Sequence, residues 1–503
     1  MKPFYLTLLF FLLAVPAMAQ VDDDDWLMDD GWVDQSDFDK FKKESSKAFN
    51  DFRDSANARF AKAIEGKWQP FAVSAPIERP HDPEPKVAPV APKPEPGGEA
   101  PQDTASPLPV SVTVPVPTPR NEPERKLPPA KPPKNTQSLS LDYYGNVETL
   151  EVPLPAEIGK CRLISNSEKD VAALWKTLSN INFQSAINRM IARQNRCHYN
   201  DWGMYEMCLR LSKRLFADNP DAQVVATVFL MNQMEYDAKI CRTDKGLASM
   251  LCIATNVYAV PFIMLDKKHY YIMMPDGGHR NLEGTIHTYQ VDFEGASLPI
   301  DMQISKAPSF SEKKAMHGYS RTVNGHTVNI DVNQHIVDFY SHYPQVDMTL
   351  YANAAVDSSL GRQLEQSFAP LVKGKNEHDA ATALLDFIQH GFDYATDDEQ
   401  FGYEKPFFLA ENFYYPKNDC EDRAMLLSWL VRKLLGLDVV LLHYPNHLSM
   451  AVNFSSYESG TYVLVDGKRY VECDPTYIGA SIGMTQSAYR QMNAEVIRLG
   501  KVK

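Results

Sequence analysis

Proline is concentrated between Gln69 and about Asn135, and this stretch limits what the rest of the chain can fold into. It reads PEPKVAPVAPKPEPGGEAPQ, then PLPVSVTVPVPTPR and KLPPAKPPK. Proline lacks the backbone N–H that helices and central strands need, and a proline-dense chain adopts an extended polyproline II conformation. We therefore predict a Pro-rich, disordered linker over residues 69–136 that acts as a spacer between an N-terminal region and a globular region.

The amino terminus has the pattern of a secretory signal peptide. Lys2 precedes the apolar run LTLLFFLLAV, which is too short to cross a bilayer, and AMA ends at Ala19 as a small-x-small cleavage site. We therefore predict that residues 1–19 are removed and that the mature protein is exported, to a periplasmic or extracellular location. No second long apolar run follows, so a membrane span is not expected.

An acidic tail over residues 20–36 follows the predicted cleavage site. Most of the stretch DDDDWLMDDGWVDQSDFD falls within this tail. The formal charge of the whole chain is -13. This charge argues against a nucleic-acid partner, because phosphate contacts need clustered Lys and Arg. A solvated tail is the favoured interpretation. A docking peptide anchored by Trp26, Leu27 and Trp32 remains open, and the Asp spacing does not fit a calcium loop.

Phenylalanine recurs every 11 residues on the N-terminal side of the linker. Eleven residues make three helical turns at about 3.67 residues per turn, so the rings share one stripe of a helix. The pattern predicts an amphipathic helix over residues 37–68, stopped by Pro70, whose 38–68 stripe packs on a partner. Self-association or docking on the downstream region is favoured over a membrane surface, since the polar face mixes acids and bases. The repeating residues are Phe38, Phe49, Phe60 and Phe71, with Phe41 and Phe52 at the same step.

The remainder of the chain has the pattern of a globular α+β protein. Helical periodicity is strong in EKDVAALWKTLSNI, FQSAINRMIARQ, WGMYEMCLRLSKRLF and AQVVATVFLMNQM. Over residues 286–370 the period changes to two, with an Asn324-Gly325 hairpin turn and VDMTLYAN as a further strand, which predicts a β-rich segment. Helix returns in EHDAATALLDFIQHGF, near the start of a last domain over residues 371–503.

The stretch NDCEDRAMLLSWLVRKLLG predicts a helix with a cysteine at its start. Asn418 and Asp419 are good N-cap residues, basic residues fill the last turn, and Gly436 suits the end of the helix. Cys420 therefore lies where unpaired N–H groups and the helix dipole stabilise a thiolate. Glu421 and Asp422 oppose this effect, so the sequence does not give the sign of the pKa shift.

Two predicted hairpin strands and a further hairpin follow that helix, in DVVLLHY, HLSMAVNF and TYVLVDGKRYVECDPTY. They place His447 and then Asp474 at successive steps of 27 residues after Cys420. A nucleophile at a helix start, a base on one strand and a carboxylate on another can meet on one face of a small antiparallel sheet.

This arrangement resembles the transglutaminase-like superfamily, a papain-like cysteine fold in which a helix with an N-terminal cysteine packs on an antiparallel sheet. The matching stretches are DCEDRA, HLSMAV and DGKRYVECDPTY, within about residues 371–490. The resemblance implies that Cys420 is the nucleophile, His447 the base and Asp474 the residue that orients the base. The short separation of Cys420 and His447 along the sequence disfavours papain-like peptidases themselves.

The same resemblance implies an oxyanion site at the backbone N–H of Cys420. Gln400, in DDEQFGYEKPFF, is a candidate second donor. His443 is the rival base, and it is rejected because it lies within the apolar run before the turn. No metal-ligand cluster, phosphate loop or dinucleotide fingerprint accompanies these residues, so neither a cofactor nor a metal is expected.

A second copy of this core is predicted upstream. MEYDAKICRTDKGLASML runs parallel to LGLDVVLLHYPNHLSMAV, and LDKKHYYIMMPD runs parallel to VDGKRYVECDPT. This alignment places Asn219, Gly246 and Met274 at the cysteine, histidine and aspartate positions. We interpret residues 137–285, with the repeat itself at about 160–285, as a degenerate domain that keeps the packing and lacks the chemistry. Chance similarity of two helix-hairpin units is the alternative.

Seven cysteines in an exported protein allow two interpretations. One nucleophile and three disulfides fit the count, with no connectivity specified, and several buried free thiols fit it equally. Cys473 is expected to point to the opposite face from Asp474, which argues against a bridge to Cys420.

Two functions follow from these observations. The first is an exported cysteine-dependent amide hydrolase or acyltransferase acting on a protein or peptide substrate, with hydrolysis slightly favoured. The second is a non-catalytic, peptide-binding envelope scaffold built on the same domains. The intact Cys420, His447 and Asp474 favour the enzyme.

Overall fold

The computed structural model of the protein describes residues 35–79, 85–92, 106–118, 127, 135–277, 282–313 and 315–502. The chain divides into two compact units, Met1–Ala48 and Phe49–Lys503. In the first unit the described residues, 35–48, are helical. The predicted signal peptide and nearly all of the predicted acidic tail lie outside the described residues.

The Phe-stripe helix is α1, Gln35–Ile64. Phe60 is 3% exposed and packs on Trp175 with ring centroids 4.7 Å apart, whereas Phe52 is 46% exposed. The C-terminal part of the stripe therefore docks on the chain's own globular part, and self-association remains a prediction. The helix ends before Pro70, and Phe71 lies in strand β1, Gln69–Ala72, so the prediction that the helix extends to residue 68 and the stripe to Phe71 is wrong.

The Pro-rich stretch contributes strands to two sheets. β1 pairs antiparallel with β9, Thr285–Thr288, and β2, Val110–Val114, pairs in parallel with β18, Ala494–Arg498. The prediction of a disordered spacer is therefore wrong for these residues. Short apolar runs between the prolines are long enough to add an edge strand, which is where sheets tolerate proline.

After the Pro-rich stretch, the described residues form two halves. The first half consists of a hairpin, five helices and five strands. These elements are β3 Thr136–Tyr143, β4 Asn146–Pro153, α2 Pro155–Ile158, α3 Glu168–Asn180, α4 Gln184–Cys197, α5 Asp201–Leu215, α6 Pro220–Gln233, β5 Ala238–Thr243, β6 Gly246–Cys252, β7 Phe262–Leu265, β8 Lys268–Met273 and β9.

The second half again begins with a hairpin and ends with a sheet. Its described elements are β10 Met316–Val323, β11 His326–Asn333, α7 Gln334–Ser341, α8 Met348–Ala352, α9 Ser358–Val372, α10 Glu377–Gly391, β12 Asp393–Tyr394, α11 Asp397–Gln400, β13 Lys417–Asn418, α12 Cys420–Leu430, β14 Asp438–Tyr444, β15 His447–Asn453, β16 Tyr462–Val465, β17 Lys468–Cys473 and β18.

The two halves share one sheet order. The first sheet runs β1-β9-β5-β6-β8-β7 and the second runs β2-β18-β14-β15-β17-β16. A long helix, α6 or α12, precedes each sheet in sequence and packs on it. The predicted α+β class with antiparallel sheets is confirmed, with β2 as a parallel edge strand.

Strand register makes the correspondence between the halves residue by residue. Gly246 pairs with Thr243 at the start of β6, as His447 pairs with Tyr444 at the start of β15. Likewise Ser249 faces Met273 and Met450 faces Cys473, so Met274 takes the place of Asp474.

The helix starts correspond less simply. Asn219 is the N-cap of α6 and Asp419 that of α12, so Pro220, and not Asn219 as predicted, takes the place of Cys420. The helix starts are offset by 200 residues, the turn of the hairpin that follows by 201, and the next two strands by 200 again. The π-helical turn Val431–Leu435 at the end of α12 accounts for the extra residue, because a π-bulge inserts one residue into a helix.

The predicted β-rich segment, 286–370, is wrong as a unit. The Asn324-Gly325 hairpin is present as β10 and β11, with both turn residues at positive φ. The rest of the segment contains α7, α8, most of α9 and, among the described residues, a stretch without regular elements between β9 and β10. Met348–Ala352 of VDMTLYAN form α8, and all five residues are buried. α9 packs on β11 as α4 packs on β4, so the hairpin begins the second half as β3 and β4 begin the first.

Candidate active site

The helix α12 is the centre of the second half. Every residue from Cys420 to Leu430 is buried, including Glu421, Asp422 and Arg423, so the helix is enclosed on all sides. Its first turn is held from outside the helix, since the Asp422 carboxylate accepts a hydrogen bond from the Phe407 N–H at 2.9 Å. These contacts fix the position of the first residue, Cys420.

The Cys420 sulfur lies against the strand that carries His447. The Leu448 N–H donates to Cys420 Sγ at 3.3 Å, and the thiol donates to Glu421 Oε2 at 3.2 Å. The first contact stabilises a negative charge on sulfur, whereas a neighbouring carboxylate opposes it. The side chain is 3% exposed.

His447 and Asp474 form a buried pair. His447 Nε2 and Asp474 Oδ2 are hydrogen-bonded at 2.9 Å. The other carboxylate oxygen accepts from the N–H groups of Thr476 and Tyr477 at 2.9 and 3.2 Å, and Gln486 donates to Oδ2 at 2.9 Å. Burial opposes ionisation of Asp474, yet the imidazole and these donors together hold the pKa of its carboxyl below the usual value.

Aromatic rings fix the plane of the imidazole. Tyr489 stacks on His447 at 4.9 Å between ring centroids and 15° between planes, and Tyr444 stacks on Tyr489 at 4.8 Å. A ring held by stacking on one face and by a hydrogen bond at one nitrogen has little freedom to rotate.

Cys420 and His447 line the same small pocket. His443 also lines it, but His443 Nδ1 is 2.9 Å from Glu495 Oε2, away from Asp474. Gln400 is not among the residues that line the pocket, and its amide donates to the Lys417 carbonyl at 3.1 Å. The structure thus brings together Cys420, His447 and Asp474 and leaves Gln400 aside.

Sequence reasoning missed the residues that hold the loop after Asp474. Gln389, on α10, donates to the carbonyls of Asp474, Tyr477 and Ala480 at 3.0 to 3.3 Å and accepts from the Gly479 N–H. Its burial on the inner face of a predicted helix was the available indication, since an inward-facing glutamine needs several partners.

Glu472 is a second buried carboxyl near the pair. It accepts hydrogen bonds from Ser449, at 2.9 Å, and from Thr485. Burial, together with the charge of Asp474, raises the pKa of Glu472 to about 7 against the hydrogen bonds that lower it.

Buried carboxylates also lie beside the start of α12. Among the described residues, Asp397, Asp419 and Glu421 place carboxylate oxygens within 4.8 Å of one another, a spacing that a metal ion could bridge. Burial and the charges of Glu421 and Asp397 raise the pKa of Asp422 well above the usual value.

A carboxylate occupies the corresponding place in the first half. The Leu247 N–H, at the place of the Leu448 N–H, donates to Asp221 Oδ1 at 2.7 Å. A Cβ on Gly246 would lie 2.7 Å from that same oxygen, and the φ of Gly246 is +120°, so a histidine there would displace the carboxylate and strain the backbone. The carboxylate of Asp221 thus takes the place that sulfur has in the second half.

All seven cysteines are free and buried, so the three-disulfide interpretation is wrong. In the described part of the chain, none of the helices combines the length and apolarity needed to cross a bilayer. Comparison of the chain with protein-family models, with curated proteins and with solved structures gave no match.

Proposed function

We propose that the protein is an exported, cysteine-dependent enzyme that acts on amide bonds of a protein or peptide, with a transglutaminase-like core in its second half. The single observation that carries the proposal is the buried His447–Asp474 hydrogen bond of 2.9 Å beside a cysteine at a helix N-terminus. Nucleophile, base and orienting carboxylate are the parts that thiol-based acyl transfer needs.

Each residue has a defined role in this proposal. Asp474 holds Nε2 of His447, so Nδ1 is the nitrogen that takes the proton of Cys420. The thiolate attacks the amide carbon, and the carbonyl electron pair moves to the oxygen. In this proposal the backbone N–H of Cys420, at the helix start, donates a hydrogen bond to that oxyanion. Gln400 has no role, because its amide is directed at Lys417.

The intermediate then breaks down in two steps. The imidazolium donates its proton to the leaving nitrogen as the C–N bond breaks, which leaves a thioester on Cys420. His447 next deprotonates water or an amine, which attacks the thioester and restores the thiol. Water gives hydrolysis and an amine gives a new amide, and we favour hydrolysis.

One observation favours a non-catalytic scaffold as the second candidate. The first half keeps the sheet order of the second while Pro220, Gly246 and Met274 replace the three residues of the proposed triad. In this proposal the first half is a degenerate transglutaminase-like domain. The same chain then already contains one copy of the fold that is kept without catalytic residues. If the second half is non-catalytic as well, the protein binds peptides and does not turn them over.

The rate of alkylation of Cys420 by iodoacetamide as a function of pH separates the two candidates. The enzyme requires an apparent thiol pKa below the free value of about 8.5, together with peptide release or amine incorporation that is lost in Cys420→Ala. Peptide mapping by mass spectrometry assigns the label, and burial raises the pKa of Cys161 to about 11 and of Cys252 to about 12, which keeps their background low. An ordinary thiol pKa and no turnover would favour the scaffold.

A further inference from the structure

The side chains of the proposed triad are hidden from solvent. Cys420 is 3% exposed and His447 is 5% exposed, although a thiol that attacks a protein amide has to reach it. One wall of their pocket comes from outside the second half. It is formed by Arg79, in the Pro-rich stretch.

The Pro-rich stretch reaches this pocket along the first sheet. After β1, the Ser74 N–H donates to the Phe262 carbonyl at 2.8 Å, and the Ile77 carbonyl accepts from the Ala259 N–H at 3.0 Å. Arg79 then lies over the Tyr258 ring, 4.8 Å from its centroid, and donates to the Val346 carbonyl at 2.6 Å. Backbone pairing with the chain at the start of β7 thus brings the guanidinium to the pocket.

The next described part of the stretch continues beside the loop that follows Asp474. Tyr394 donates to the Pro85 carbonyl at 2.9 Å. The Ile478 N–H donates to the Pro89 carbonyl at 2.8 Å, and the Ala91 N–H donates to the Ile478 carbonyl at 2.9 Å. This is a short parallel pairing of an extended segment with the loop that Gln389 holds.

We propose that residues 77–79, through Arg79, close the pocket that holds Cys420, that residues 85–91 anchor this segment on the loop after Asp474, and that a substrate gains access by displacing both. The inference rests on the proposed function, since it concerns access to the same thiol. The substrate that displaces the segment is then an extended polypeptide able to pair with the backbone of Ile478. Such pairing uses main-chain groups and is open to many sequences.

The sequence of the stretch suits a displaceable occupant. Proline holds the chain extended before it binds, so little conformational entropy is lost on docking. β1 and β2 attach the stretch to both sheets, and such attachment keeps its local concentration high, in the millimolar range for short tethers. A few weak contacts are therefore sufficient to keep the pocket closed.

The test compares Cys420 alkylation in the mature protein with that in the double variant Arg79→Ala/Ala91→Pro. The first change removes both guanidinium contacts, and the second removes the Ala91 N–H that donates to Ile478. Lys67→Ala, an exposed basic residue before β1 and outside the proposed segment, is the matched control. We expect the rate to rise by about tenfold or more in the double variant, which corresponds to about 1.4 kcal/mol in the opening equilibrium, and to be unchanged in the control. Far-UV circular dichroism checks that each variant is folded.

The outcomes separate this inference from the proposed function. A double variant that is folded and labels at the parent rate overturns the blocking segment, even when Cys420 has a low pKa and releases peptide. Faster labelling in the double variant with an ordinary thiol pKa and no turnover supports the blocking segment and overturns the amide chemistry instead. The single variant Arg79→Ala serves if the double variant does not fold, with the same two readings.

Discussion

Glu472 makes the stability of the protein depend on pH in a direction opposite to that of most carboxyls. The folded protein holds the pKa of this buried group at about 7, above its ordinary value of 4.5. Between these values the folded state binds more protons than the unfolded state, so the free energy of unfolding falls as pH rises. A carboxyl with a lowered pKa would give the reverse.

The size of the effect follows from the two pKa values. Each pH unit between them is worth about 1.4 kcal/mol, so from about pH 5 to about pH 8 this group removes about 2.5 kcal/mol from the free energy of unfolding. Glu472→Gln keeps the shape and cannot ionise, and it should lack this loss. The difference in unfolding free energy between parent and variant should therefore change by that amount across the range.

Urea unfolding followed by far-UV circular dichroism at several pH values measures this difference. Glu283→Gln, an exposed carboxyl before β9, is the matched control and should give curves parallel to those of the parent protein. Parallel curves for Glu472→Gln as well would refute the argument, because they would mean that Glu472 has the same pKa in the folded and the unfolded state. The m-value checks that the surface exposed on unfolding is unchanged.

Three further predictions concern the site, the core and the thiols. Asp474→Asn should slow Cys420 alkylation near neutral pH and raise the apparent thiol pKa, because His447 loses the carboxylate that stabilises its cation; an unchanged pH profile would contradict this. Phe60→Ala should lower the free energy of unfolding by about 3–5 kcal/mol, and Phe52→Ala, on the exposed side of the same helix, by less than about 1 kcal/mol; equal losses would show that the stripe is not docked. Titration of the denatured, unreduced protein with a thiol reagent should give seven thiols, and a count of one would restore the three disulfides.

Local patterns were sufficient to predict several elements of this fold. The caps around Cys420, the Asn324-Gly325 turn and the four long helices of the first half depend on residues close in sequence, and the structure has each of them. The pairing of His447 with Asp474 was also predictable, because two hairpins of known length leave few alternative registers.

The predictions that failed depend on contacts distant in sequence. VDMTLYAN alternates like a strand, but Met348–Ala352 form the helix α8 and all five residues are buried, so the alternation does not report one buried face. The seven cysteines could not be assigned, because whether two sulfurs approach one another is decided by packing and not by their number.

The sequence by itself determined the helix with Cys420 at its start, the strand that begins with His447, the strand that ends just before Asp474, and the repeat of the two halves, because periodicity and turn residues act locally. Only the tertiary structure decided the course of the Pro-rich stretch. Its prolines exclude helix and central strand, yet they leave free carbonyls and a few N–H groups, and the open edges of two sheets together with the loop after Asp474 supply the partners for them. An edge strand needs a partner that the local sequence does not contain, which is why the spacer prediction was wrong for β1 and β2.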